Sequence, residues 1–320
     1  LHSTSRRQRQ MCIRDSMEMM LGAFVDVYFQ DKAGELKERT IKNKQYMIEA
    51  HVLPYFANKR MNEITPSDII QWQNEMRAKG YSQTYLRMVQ NQITALFTHA
   101  CNIYNLGNNP CKKVKKMGKA DADKLNFWTK AEYDSFIRGI DKESRYFVIF
   151  EILFWTGCRE GEMLALTKSD IDFENNQISI TKTYYRTERR DIITTPKTEQ
   201  SIRVIDIPEF LKKEIEAYVN RCYGLPDNER LFPIVAEAVQ HKLKRECAKS
   251  GVKQIRVHDL RHSHVAYLIN QGVQPLIIKE RLGHRDIKIT LNTYGHLYPN
   301  QQKKVADMLN ATRNENAPAD

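Results

Sequence analysis

This sequence predicts a mainly helical α+β protein with one small β-sheet, divided into two domains. Three observations predict it. Apolar residues recur at helical spacing over most of the chain, and Thr or Ser stands ahead of several such stretches as a cap. Only two segments alternate in the manner of strands. The length, 320 residues, is about twice that of a typical domain. The expected division is a helical domain over 17–106, a basic linker over 107–124, a second domain over 125–310 and a flexible tail over 311–320.

Residues 1–16 stand apart. They lack apolar periodicity and the apolar core of a signal peptide. Residues 6–16, RRQRQMCIRDS, resemble one reading frame of a sequencing adapter that carries a transposon end. They are read as a cloning or assembly scar, and the complete gene is expected to extend upstream and encode a further small domain.

In the first domain an apolar helix begins at Phe24 to Phe29. Thr65 caps the next clear helix, with Pro66 in its first turn and Asp68 near the positive end of its dipole. Ile69, Trp72 and Met76 then share a face. Ser82 caps a helix whose buried stripe is Leu86, Val89, Ile93, Leu96, Phe97 and Ala100. Its other face carries Gln83, Thr84, Arg87, Gln90 and Asn91, which can line a DNA groove or simply meet solvent. The linker holds turn residues Gly107 to Pro110, then Lys112, Lys113, Lys115, Lys116 and Lys119. On a flexible strand, lysines suit tracking a phosphate backbone.

In the second domain Thr129 caps a short helix, and the nearly continuous apolar run Glu143 to Trp155 predicts a central buried one. Gln177 to Tyr185 and Ser201 to Ile207 read as strands. Pro208–Tyr218, Ala236–Lys249, His258–Asn270, Pro275–Leu282 and Gln301–Leu309 read as helices, the last with Val305, Met308 and Leu309 on one face.

Composition narrows the partners. The net charge is +11; four arginines and one aspartate fall in the first sixteen residues, so the surplus survives their removal. Such a surplus favours an anionic partner. The longest apolar run, Tyr146 to Trp155, is broken by Glu151 and falls short of the ~20 residues of a membrane span. Six cysteines without a CxxC pair argue for a reducing cytoplasm rather than a disulfide framework.

Four clusters hold polar residues that packing does not explain. Arg159 and Glu162 follow the buried helix in TGCREGE. Lys197 sits in Pro196-Lys197-Thr198, in the turn between the two strands. His258, Arg261 and His262 share a helical face in HDLRHSH. Leu282-Gly283-His284 is followed by Thr290 to Tyr294. His258 and His262 loosely match a zinc-binding HExxH helix, but Asp259 stands where that pattern needs Glu, and the nearby cations oppose a metal.

In order and together, these clusters resemble the tyrosine recombinase (phage integrase) family over about residues 17–310. The resemblance implies a core-type DNA-binding domain ahead of a catalytic integrase domain, the two forming a clamp around DNA. It implies catalytic roles for Arg159, Lys197, His258, Arg261, His284 and the nucleophile Tyr294, with Glu162 as an orienting group and His258 assisting proton transfer at the tyrosine. It further implies DNA cleavage and rejoining through a 3′-phosphotyrosyl link, with no metal, ATP or other cofactor. The partners implied are double-stranded DNA at core attachment sites, a homo-tetramer on that DNA, and accessory DNA-bending or excisionase proteins, in the cytoplasm of a bacterial host with no membrane role. Related readings are a chromosome-dimer resolvase or invertase, a type IB topoisomerase, and a DNA-binding regulator without catalysis.

Overall fold

The computed structural model describes residues 18–119, 125–196 and 198–297. It is mostly helical with little sheet, as expected, and the chain separates into two compact units, residues 1–124 and 125–320. The scar assigned to 1–16, Lys197 and the helix expected over 301–309 lie outside the described residues.

The first unit is built from α1 (Leu21–Lys32), α2 (Glu38–His51), the short α3 (Leu53–Phe56), α4 (Pro66–Ala78) and α5 (Gln83–Ile103). The Thr65 side chain accepts from the Asp68 amide, and the Asp68 carboxylate accepts in return from the Thr65 amide at 2.8 Å. This capping box fixes where α4 begins. The α5 stripe from Leu86 to Ala100 is fully buried against Phe24, Ile48, Trp72 and Met76.

The segment expected as a linker is in fact part of this unit as far as residue 119. Leu106, Cys111 and Met117 enter the helical core. The Gln73 amide donates to the Lys115 carbonyl at 3.0 Å, and Arg87 donates to the Gly118 carbonyl at 2.9 Å. The Lys119 amide donates to the Gln83 carbonyl at 3.1 Å. The physical reason is that three apolar residues spaced through a polar stretch gain burial while the backbone groups between them find partners on α4 and α5. Gly118 closes this strap at φ +72°, and a Cβ there would stand 2.0 Å from the Gln83 carbonyl oxygen.

In the second unit α7 (Arg145–Thr156) is the central buried helix, capped by Ser144 and preceded by α6 (Lys130–Arg138) with its Thr129–Glu132 capping box. Then come α8 (Glu160–Leu164), β1 (Ile171–Asp172), β2 (Gln177–Ile180), β3 (Thr183–Thr187), β4 (Arg190–Thr194) and β5 (Arg203–Asp206). The helices α9 (Glu209–Arg221), α10 (Ala236–Ser250), α11 (Val257–Asn270), α12 (Pro275–Leu282) and α13 (Ile287–Tyr294) complete it.

The expected strand Gln177–Tyr185 is two strands. It breaks at Thr181–Lys182, where Lys182 turns in to pair with Asp170 at 2.9 Å. β2 joins an antiparallel sheet ordered β1-β2-β5, while β3 pairs with β4 in a separate hairpin. The turn of that hairpin uses positive φ at Glu188 and Arg189. The segment around Pro196 therefore lies between β4 and β5, not directly after β3.

Candidate active site

Helix ends deliver the side chains. Gly157 ends α7 in the left-handed conformation (φ +64°), and a Cβ there would stand 2.6 Å from the His264 ring. The chain thus turns sharply enough to present Arg159 just ahead of α8. The Glu162 carboxylate accepts from the Arg159 amide at 2.9 Å and from its guanidinium at 2.6 Å. Arg203, from β5, donates at 2.9 Å to Glu162 Oε2, the oxygen that also accepts from the Arg159 amide. Burial alone would raise the Glu162 carboxyl, but Arg203 and Arg159 outweigh it and hold the pKa below the usual carboxylate range.

Arg261 rises from α11 and is buried. It donates to the carbonyls of Gly157 and Leu282, both at 2.8 Å, so the ends of α7 and α12 orient its plane. Five N–H groups less these two leave donors for a ligand. Asp259, which follows His258 where a metalloprotease helix would carry its Glu, accepts from the Arg256 amide at 2.9 Å and pairs with its guanidinium at 2.7 Å. It is a helix-start carboxylate.

Gly283 leads from α12 to His284, whose Nδ1 meets the Thr290 hydroxyl at 2.9 Å. Burial, then Arg261, Arg159 and Arg203, push the His284 ring down to about 3, so it is neutral at pH 7. Tyr294 is the last residue of α13 and is almost wholly buried. Burial pushes its hydroxyl up to about 12 against the pull of Arg261.

Arg159, His258, Arg261, His262, His284 and Tyr294 line one open cleft of about 550 Å³. Pro196 and Thr198, the neighbours of Lys197, line it too. The Tyr294 hydroxyl meets His262 Nδ1 at 2.6 Å. The direct partner of the tyrosine hydroxyl is thus His262, one helical turn after His258, and the His258 ring meets His262 edge-on with centroids 5.1 Å apart. Two side chains that the structure brings into the site had no role in the sequence reading. His262 was visible in the motif without a role. Arg203 had a signal: it shares the inward register of β5 with Ile205, and an inward Arg requires a partner.

The polar face of α5 is a different matter. Gln90 is fully buried and accepts from the Gln73 amide at 2.9 Å, and Arg87 is committed to the strap. Gln83 and Asn91 are exposed, Thr84 half-buried, and Lys116 reaches Asn91 at 3.4 Å. The expected groove-lining face is therefore partly covered, because the strap satisfies its backbone on it. Lys112, Lys113, Lys115 and Lys116 themselves remain exposed on an ordered backbone.

Comparison with known proteins places the chain in a family. Residues 126–301 match the model of the phage integrase family, and residues 20–77 match that of the phage integrase N-terminal SAM-like domain. The ICEBs1 integrase of Bacillus subtilis (strain 168) is 32% identical, covering 92% of this chain and 84% of its own. A XerC-like tyrosine recombinase of Caldanaerobacter subterraneus is 26% identical, covering 82% of this chain and 76% of its own. In fold, the chain is similar to the Tn1549 transposon integrase solved with a circular intermediate DNA: the TM-score is 0.79 at 22% identity, over 92% of this chain and 99% of that one.

Proposed function

This chain belongs to the phage integrase family, and from that premise we propose that it is a site-specific recombinase of a mobile element, cleaving and rejoining DNA through Tyr294. One observation carries the reading: a buried tyrosine hydroxyl opens on a cleft furnished with the guanidiniums of Arg159 and Arg261 and the imidazoles of His258, His262 and His284. In the proposed reaction the phenol oxygen attacks the scissile phosphorus and the 5′ oxygen leaves, giving a 3′-phosphotyrosyl link. Charge that develops on the non-bridging oxygens is met by the planar forks of Arg159 and Arg261 and by neutral His284 as a further donor. Glu162 orients Arg159. Lys197 protonates the departing 5′ oxygen. The cationic side chains do the work that a metal does elsewhere, and the covalent link conserves the phosphodiester bond energy, so the proposal includes neither a metal nor a nucleotide cofactor. The helical unit, with its lysine strap, holds core-site DNA, and four copies act on two duplexes in the cytoplasm of a bacterial host.

The test is a nicked suicide duplex that spans the junction between the element and its flanking DNA. Wild-type protein should form a covalent adduct in excess EDTA without ATP, and peptide mapping should place it on Tyr294. Tyr294→Phe should bind the duplex and form no adduct. An adduct on another residue, or one that requires magnesium, overturns the reading.

A further inference from the structure

We infer that His262, through Nδ1, is the base that takes the proton from the Tyr294 hydroxyl during DNA cleavage, and that His258 acts one ring further out. The inference rests on the recombinase reading above and adds to it a residue to which that reading gives no role in proton transfer.

Geometry carries it. The Tyr294 hydroxyl and His262 Nδ1 are 2.6 Å apart, within direct proton-transfer distance. Both side chains line the cleft where the phosphate would sit. The two rings are tilted at 5.6 Å between centroids, and the His258 ring meets His262 edge-on at 5.1 Å between centroids. A buried phenol is a poor nucleophile until its proton has somewhere to go. The His262 ring is prepared to receive it: its own burial holds it neutral, Arg256 and Arg261 push the same way, and the Asp259 carboxylate stands ready to stabilise the imidazolium once formed.

The step balances. The Oη–H bond of Tyr294 breaks and its proton passes to His262 Nδ1. The phenolate oxygen forms a bond to phosphorus as the P–O5′ bond breaks, and the 5′ oxygen leaves with a proton from the acid assigned to Lys197. Rejoining runs the same transfers backward, with the imidazolium of His262 returning its proton to the tyrosine.

The experiment uses the full chain and the nicked duplex described above. His262→Asn keeps a hydrogen-bond acceptor near Nδ1 but cannot hold the proton. Its rate of adduct formation should fall at least ~100-fold, the lower end for loss of a general base. Placing trifluorotyrosine at position 294, a more acidic phenol, should restore at least ~10-fold of the loss, because such a phenol needs less help from a base. A variant within about 3-fold of wild type, or one that stays slow with the fluorinated residue, overturns the assignment of His262, the latter showing a merely structural role. Should His262→Asn unfold, the wild-type background decides: trifluorotyrosine must make cleavage less sensitive to acid, and an unchanged pH profile overturns the assignment. Failure of wild-type protein to form an adduct on Tyr294 is the separate result that removes the recombinase reading itself.

Discussion

In the proposed reaction Arg159 and Arg261 do one task from different supports. Arg159 is half-exposed and tied to Glu162; Arg261 is buried and aimed by two backbone carbonyls. Arg159→Lys keeps the charge but loses the fork, so cleavage should drop by about 100-fold or more while duplex binding stays nearly intact. Filter binding and adduct formation, measured side by side, check this; near wild-type cleavage would make Arg159 an ion-pair residue only. Gly157→Ala forces a side chain into left-handed backbone against the His264 ring, and should lower stability by ~2 kcal/mol or more in denaturant melts. At this scale the motifs were legible because chemistry demands residue types. The contact between His262 and Tyr294 was not, because it joins α11 to the end of α13, an eight-residue helix whose Ile289 and Leu291 are exposed while Thr290 and Tyr294 are buried, so its apolar residues do not mark the face that meets the core.

Among the elements, caps were the most legible feature. Thr65, Ser82 and Thr129 each begin a helix where expected, since a side-chain oxygen ahead of an apolar stripe has few other uses. The β3–β4 hairpin was illegible for the opposite reason. Its turn carries Glu188 and Arg189 at positive φ, where glycine or asparagine would have signalled it. The strap misled because its lysines suggested a solvated strand while Cys111 and Met117 anchor it. If those lysines meet phosphates, replacing Lys112, Lys113, Lys115 and Lys116 with Ala should reduce the log–log salt slope of DNA binding by about 0.9 per lost contact. An unchanged slope would leave the lysines in solvent. Gly118→Ala should lift the strap off α5, seen as faster amide exchange at residue 119 without loss of the helical core.

For the whole molecule, the net charge of +11 pointed to an anionic partner before any motif did. The boundary at residues 124 and 125 coincides with the end of the lysine segment, though the unit it closes holds more of that segment than charge alone suggested. Global stability should depend on pH through the second unit. His264 is fully buried with its pKa well below 6.5, and His284 is held low as well. Their unfolded counterparts take up protons near 6.5 while the folded rings stay neutral, so the unfolded state binds more protons below that value. The contribution is therefore fully present above about pH 6.5 and lost as the pH falls, at up to ~1.4 kcal/mol per pH unit for each ring. Burial pushes the Glu160 and Glu214 carboxyls up to about 7, and they act in the opposite sense over this range. The histidine contribution is therefore read as the difference between wild type and His264→Gln in denaturant melts from pH 7.5 to 5, where the variant should lose less stability on acidification. Identical profiles would mean that the folded His264 ring protonates normally.

In the proposed complex the strap also governs the thermal signature of DNA binding. A lysine segment that ordered only on contact would bury apolar surface in the act, and calorimetry would register a large negative heat-capacity change. Here Leu106, Cys111 and Met117 are already buried in the free protein. Heat capacity should change little through this segment, and the salt-driven release of counterions should remain undiminished by any cost of ordering the backbone that carries the lysines.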